Sequence, residues 1–542
     1  MTAAHYRCLM IFLLGLFALP AMASQSCNSN VTAVAPNSRY VDPGASKVQC
    51  WGLNTYGQLG NGSSTQSTIP VLVTGLSTAV VLGAGNSHSC ALRFDGTIEC
   101  WGLNANGQLG DGTTTDSSLP VIVSGISSAL DLTAGNDHNC ARLDDDSVQC
   151  WGLNDNGQLG DGTTTQSDTP VAVSGISTAK AVAAGAAHSC ALLSSGGVVC
   201  WGLNSNGQLG NGGPTQSNTP VAVSGIPTNA TPPVSAIAIA AGGAHSCALL
   251  SDSTIECWGL NDHGQLGNNS TANQFVIPVI VSGIHTATAI AAGVGYSCAL
   301  LSNGTVQCWG LNANGQLGNG DTTDSRIPVA VSGFISPAVA IASGGSHSCA
   351  LLSSGKINCW GLNANGQLGN GSTANSSTPV NVSGINDAAS IAGGNGHSCA
   401  RISSGTSTVV DTTAGLMWKR CSEGQAWDLI KEVCVGDPKT FTWQEALQRV
   451  KDVNSGSLGY NLGVSDWRLP NRNELTSLVE YKCDTPAINA AIFPSTGEGP
   501  YWSSSPDAAD AGNAWNVDFL DGKVSGAPKT NSYYVRLIRG GK

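Results

Sequence analysis

The sequence predicts an all-β propeller followed by a small α+β domain, and three observations carry that expectation. The pentapeptide CWGLN recurs seven times, with its Trp at 51, 101, 151, 201, 258, 309 and 360. Between recurrences every apolar stretch is short and bounded by Gly, Pro, Asn or Ser, which is strand-and-turn chemistry rather than helix chemistry. After Cys399-Ala400-Arg401 the repeat stops and a helical periodicity appears. Roughly four short strands per ~50-residue unit is the pattern of a propeller blade.

The chain begins MTAAHYRCLMIFLLGLFALPAMA. His5 and Arg7 precede an apolar run, Cys8 to Leu19, that is too short to span a bilayer comfortably, and Ala21-Met22-Ala23 is a small-residue cleavage pattern. Residues 1–23 therefore read as a secretory signal, with an uncleaved N-terminal anchor as the alternative. Residues 24–39 read as a linker, 40–402 as the propeller and 403–542 as the second domain. The mature chain is expected in the periplasm, at the cell surface or outside the cell, with no transmembrane span once the signal is removed. A net charge of −12 with no basic run excludes the clustered cationic face that nucleic-acid binding needs. At 41% hydrophobic and 11% charged, the 542 residues are apolar enough to bury a core.

Each repeat reads CWGLNxxGQLG, a Ser/Thr/Asn/Gly stretch, P-V-x-V, an Ala/Ile segment, G-x-x-H-S-C-A-L-L, a turn and x-V-x-C-W-G. These residues resemble the RCC1 (regulator of chromosome condensation) repeat over about residues 40–402. The resemblance implies a seven-bladed β-propeller and, less compatibly with export, guanine-nucleotide exchange. The cysteine pair in each repeat departs from that pattern and suits an exported version.

Those cysteines carry their own argument. Cys90/Cys100, Cys140/Cys150, Cys190/Cys200, Cys247/Cys257, Cys298/Cys308 and Cys349/Cys359 are each ten residues apart around a turn. An even spacing about a three-residue loop sets the pair directly opposite on a hairpin, at a Cα distance of ~4.5–5.5 Å, within disulfide range. Cys50 has the CWGLN half alone and Cys399 the HSC half alone. Together they form a seventh hairpin in which both ends of the chain close the ring. The competing arrangement is a separate hairpin from Arg39 to Cys50.

The other repeated residues have bland assignments. Gly at both ends of GQLG serves tight turns, the Trp packs between blades, and Asn54 and its equivalents cap turns. His88, His138, His188, His245, His347 and His397 share one position, with Tyr296 in the sixth unit. A His/Cys/Cys metal site is rejected because Tyr296 breaks it and the cysteines partner one another, so the histidines read as hydrogen-bonding residues of each blade. No metal or cofactor is expected. Asp144-Asp145-Asp146, Asp111/Asp116 and Asp321/Asp324 read as solvated loop acids.

In the second domain, Thr442-Trp443-Gln444-Glu445 is a capping box, with Ala446, Leu447, Val450 and Val453 following at helical spacing. A second helix starts near Asn471 with Glu474 at its third position. The end, AWNVDFLDG…SYYVRLIRGG, alternates like strands. The strings GLMWKRC, SDWRLPNRNELTSLVE, AINAAIFPST, PYWSSSP, AWNVDF and SYYVRLIRGG are similar to the DUF1566 family, the C-terminal domain of the Legionella collagen-like adhesin. That resemblance spans about 408–541. It implies a C-type-lectin-like fold and a surface-adhesive role, with glycan binding in some members. Trp467, Arg468, Leu469 and Pro470 read as framework, with Arg468 paired internally. Cys421 with Cys434, and Cys27 with Cys483, is the preferred one of three connectivities.

No phosphate-binding loop, GxSxG elbow, HExxH or dinucleotide fingerprint occurs, so a hydrolase is disfavoured. The expectation is an exported, non-enzymatic adhesion protein with a protein or glycan ligand. The alternatives are a propeller face that inhibits another protein and, less compatibly, an exchange factor. Departures from the repeat, namely Phe94 beside Arg93, Phe275 and the stretch Pro227–Pro233, are the candidate anchors.

Overall fold

The computed structural model describes residues 40–41, 47–402 except 77, 94, 227–233 and 271, and 408–540 except 412–413, 429–432, 456–465, 480–486, 489–492 and 494. Phe94, Pro227–Pro233, Cys27, Cys483 and the signal segment lie outside those residues.

Seven four-stranded antiparallel sheets follow one another around an axis. Blade 1 is built from both ends of the propeller segment, in the order Ala388–Gly393, His397–Ile402, Lys47–Gly52 and Ser67–Leu72. Blade 2 comprises Ala79–Ala84, His88–Arg93, Ile98–Gly102 and Ser117–Ile122. Blades 3 to 7 repeat it over 129–172, 179–222, 236–280, 287–330 and 338–381. The first strand of each blade touches the first strands of both neighbours, so these strands are innermost.

Within a blade the ten-residue spacing sets two cysteines opposite each other across the central hairpin. Cys90 faces Cys100 in blade 2, Cys140 faces Cys150 in blade 3, and Cys190 faces Cys200 in blade 4. Cys247 faces Cys257 in blade 5, Cys298 faces Cys308 in blade 6, and Cys349 faces Cys359 in blade 7. In blade 1 the same register brings Cys50 to Cys399 from opposite ends of the propeller segment. All seven propeller pairs are bonded, with Cα–Cα distances of 4.0–4.1 Å. That corrects the expected range, because the covalent link draws in pairs that already face each other directly across a hairpin. The separate Arg39–Cys50 hairpin does not form: Lys47–Gly52 pairs with His397–Ile402, while Tyr40–Val41 pairs with Val410 and Asp411. Residues 40–41 therefore belong to the sheet of the second domain rather than to the propeller.

The outer strand of every blade carries a proline at one register, from Pro70 in blade 1 to Pro379 in blade 7. A missing N–H on an exposed edge prevents strand addition there. Cores lie between blades as much as within them. Trp151 of blade 3 packs with Cys90, Leu92, Ile98 and Leu109 of blade 2, and all seven repeat tryptophans are fully buried.

The second domain places Tyr40–Val41, Thr408–Asp411, Leu416–Lys419 and Ile538–Gly540 in one sheet, in that order. A five-stranded sheet runs Thr440–Phe441, Tyr533–Tyr534, Pro500–Pro506, Asn513–Asp518, Lys523–Pro528. Helix α1 (Trp443–Asn454) starts at the Thr442/Glu445 capping box, and α2 (Arg472–Thr476) at a second box formed by Asn471 and Glu474. Cys421 is bonded to Cys434. The fully buried Arg536 donates to the carbonyls of Lys419 and Arg420 and to Thr496 Oγ1. Buried Glu423 is held between Lys419 and Arg449.

Candidate functional site

The repeated polar residues of the propeller are spent on joining blades. The turn after each inner strand links to the next blade through one backbone N–H, and the seven links close on themselves. Asn86 N donates to Asn136 O, Asn136 N to Gly185 O, and Asn395 N returns to Gly85 O, at 3.0–3.3 Å. Glycine is required beside this ring: a Cβ on Gly185 would lie 2.3 Å from His188 Cε1 and 2.5 Å from Gly242 O.

A second ring lies behind the first. His138 Nε2 meets Ser189 Oγ of the next blade at 2.8 Å, and His397 Nε2 closes the circle on Ser89 Oγ at 2.8 Å. The histidines thus bond between blades and not within one. In blade 3 an Asn replaces the Ser: Asn139 Nδ2 donates to Gln108 O, so its Oδ1 accepts from the Nε2–H of His88. Where a Ser faces a histidine, its hydroxyl likewise donates to a Gln carbonyl, as Ser189 does to Gln158 O, and so accepts from the imidazole. Tyr296 substitutes by donating its hydroxyl to His347 O. The six histidines are fully buried, and burial lowers them to about 3 or 4 from 6.5, so they are neutral.

Each Trp donates Nε1–H to the same Gln carbonyl of the preceding blade, as Trp101 does to Gln58 O at 2.9 Å. Asn54 organises its loop by accepting from Leu59 N and donating to Ser63 O and Thr65 O. The loop acids do the same work: Asp111 accepts from Thr113, Asp116 from Asn104 N, and Asp324 from Asn312 N and His263. Among the described residues no cluster of His, Cys, Asp or Glu has metal-ligand geometry. Phe275 is half-buried and packs against the core between blades 5 and 6, which is a packing role rather than a free anchor.

Along the axis the inner turns enclose a mouth of about 130 Å³ lined by Ala, Gly, Asn136, Val294, Ser343 and Asn395. A larger groove, about 310 Å³, lies in the second domain between α2 and the strands Pro500–Pro506 and Asn513–Asp518. Its walls are Asn471, Arg472, Asn473, Ser505 and Pro506, with Trp515 beneath. The framework motif builds it. Arg468 grips Glu474 in a two-pronged ion pair at 2.7 and 2.8 Å, and Glu474 also accepts from Asn471 N. Partial burial opposes ionisation of Glu474, but the Arg468 fork and the Asn471 N–H outweigh it and hold the carboxyl below its ordinary value. Trp467 and Leu469 are buried beneath. Arg472 N donates to Ser505 Oγ and Ser504 N to Pro470 O, fixing the helix start on the strand.

The Arg472 guanidinium lies 4.7 Å over the Trp515 ring. The groove thus offers an aromatic surface, a cation, two side-chain amides and a hydroxyl. Ser505 Oγ is engaged by a backbone N–H rather than by a base, so the lining holds no activated nucleophile. Sequence reasoning missed this pairing. Arg472 and Trp515 both stand inside motifs quoted above, but only the docking of α2 on the paired strands brings them together.

Comparison with known proteins agrees with both halves of the chain. A model of the RCC1-like domain matches residues 130–411, one of the RCC1 repeat matches 47–92 and 95–142, and one of the Lcl C-terminal domain matches 407–539. The chain is 33% identical over 155 residues to the ultraviolet-B receptor UVR8 of Arabidopsis thaliana, covering 28% of this chain and 35% of that protein. It is 38% identical over 150 residues to the probable E3 ubiquitin-protein ligase HERC4 of Homo sapiens, covering 27% and 14%. It therefore spans well under two thirds of either relative. Among solved structures, human WBSCR16 superposes with a TM-score of 0.60 at 23% identity over 66% of this chain and 99% of that one. Prp20p of Saccharomyces cerevisiae does so at 0.59 and 21% over 70% and 97%. At these identities the structures speak for the fold. No helix among the described residues is long and apolar enough to cross a membrane.

Proposed function

Since the chain belongs to the RCC1-like domain family and ends in an Lcl C-terminal domain, we propose that it is an exported, non-enzymatic adhesion protein. In this reading the propeller is a rigid recognition scaffold and the C-terminal domain attaches to a glycan-bearing surface. The observation that carries it is the Arg472–Trp515 groove. A sugar ring presents apolar C–H faces that suit an aromatic surface, and its hydroxyls suit amide and guanidinium groups placed beside that surface. The disulfide in every blade favours an oxidising compartment.

The test is binding of the full-length protein to a glycan array, with Trp515→Ala and Arg472→Ala compared at equal thermal stability. Loss of about tenfold or more in affinity in both variants is expected, since each removes a contact worth ~1–2 kcal/mol. Glycan binding that both variants leave intact would refute the groove, and an array with no bound glycan would refute the glycan reading.

A second reading assigns a protein ligand to the propeller, whose face would hold or inhibit a partner. The structure report on Prp20p concerns its binding to Gsp1p and histones, which lends this fold a precedent for protein partners. Nucleotide exchange is the weakest version, because an exported, disulfide-bonded chain does not meet cytosolic GTPases. Failure to accelerate nucleotide release from any small GTPase is the expected result.

A further inference from the structure

We infer that Asn395–Gly396 is a spontaneous deamidation site, set apart by the fold from the ten other Asn–Gly steps of the chain. Glycine lacks a Cβ, so its backbone nitrogen reaches a preceding Asn side chain with little hindrance. The nitrogen of Gly396 gives up its proton and bonds to Asn395 Cγ. The bond from Cγ to the amide nitrogen breaks and ammonia leaves. Water then opens the resulting succinimide at either carbonyl, yielding aspartate or isoaspartate. The sequence is redox-neutral and needs only water.

In the folded protein the attacking N–H must be free. Five of the other steps sit in the turn before GQLG, where the glycine N–H is tied to the carbonyl three residues back. Gly107 N donates to Asn104 O at 2.9 Å and Gly366 N to Asn363 O at 2.8 Å. Four sit in the loop after GQLG and donate to the next blade, as Gly62 N does to Ser118 O and Gly371 N to Thr68 O. The tenth, Gly304 N, donates to Leu301 O. Gly396 N alone among the eleven has no hydrogen-bond acceptor within the described residues. Asn395 is also exposed.

The position gives the reaction a consequence. Asn395 N closes the backbone ring on Gly85 O, and its Nδ2 donates to Asn86 Oδ1 at 2.7 Å. Its Oδ1 fills the notch left by Gly345, where a Cβ would lie only 1.8 Å away. One side chain thus spans blades 7, 1 and 2 at the seam where both chain ends meet. Conversion to aspartate replaces the amide donor with a carboxylate facing Asn86 Oδ1. Conversion to isoaspartate inserts a methylene into the backbone beside the ring bond.

Peptide mapping by mass spectrometry during incubation of the native full-length protein at mildly alkaline pH tests this. Asn395 is expected to convert about tenfold faster than any other Asn–Gly step, the factor that one retained hydrogen bond supplies. In the reduced, denaturant-unfolded chain all eleven should convert at similar rates. The Gly396→Ala variant copies Ala187 and Ala244 at the equivalent positions of blades 4 and 5. It should suppress conversion at Asn395 and leave the other ten unchanged. Conversion led by another step, an Asn395 that stays intact while the unfolded chain reacts, or a Gly396→Ala variant with the native rate would each overturn the inference.

Discussion

Lowering the pH from 7 to 5 should destabilise the propeller sharply. Six ring histidines are neutral and buried, at about 3 to 4 in the fold against 6.5 when exposed. Their folded values lie below the unfolded one, so the unfolded chain binds more protons throughout the interval. Stability is complete above pH 6.5 and falls as pH drops toward 4. At pH 5 each histidine contributes about 2 kcal/mol to that loss, or about 12 kcal/mol together. Asp131 acts in the opposite sense: burial raises it to about 6, which returns about 1 kcal/mol at pH 5. Acids whose values are lowered, such as Asp146 and Glu474, matter only below about pH 4. Melting followed by near-ultraviolet circular dichroism should show a drop of roughly 20 °C between pH 7 and 5. Calorimetry in buffers of different ionisation enthalpy should register uptake of about five protons by the histidines on unfolding. His188→Tyr, which copies the residue blade 6 already uses, should remove about one sixth of the pH effect. Equal melting temperatures at the two pH values, or no proton uptake, would refute the buried neutral ring.

Three other outcomes follow from the same geometry. Replacing Cys50 and Cys399 by Ser opens a loop of 349 residues and should cost about 6 kcal/mol, against about 3 for Cys190 and Cys200; equal losses in urea titrations would argue against closure by the first pair. Gly185→Ala forces a methyl onto the ring of His188 and the carbonyl of Gly242, and should cost about 3 kcal/mol by thermal melting. Non-reducing peptide mapping should recover Cys27 joined to Cys483, because Tyr40–Val41 already pairs with the sheet of the second domain; two free thiols would exclude it.

What was legible in the chain follows from how far each contact reaches. The hairpin disulfides and the Asn54 loop lie within one repeat, so their geometry is written in local spacing, and period alone located the blades. The histidine ring is not legible in one repeat because each bond reaches into the next blade, 51 residues away for His138 and Ser189 and 308 for the closing pair His397 and Ser89. A clue was present in blade 3, where Asn139 replaces the serine and retains both an acceptor and a donor. The pairing of Tyr40–Val41 with Val410 and Asp411 is not legible in the chain, because two residues have no periodicity to read. These cases bear on where recognition can sit. The repeated Trp, His, Ser and Gly are consumed by joining blades and the repeated Asn by shaping its own loop, so a propeller ligand must use positions that vary from blade to blade. The outer strands vary in this way: Ile69, Leu72, Leu119 and Ile122 are exposed on blades 1 and 2, whereas blades 3 and 4 carry Thr169, Ala172, Thr219 and Ala222 in the same register. In the second domain the motif residues around Trp467 are likewise structural, and the groove is formed by the neighbours they hold in place.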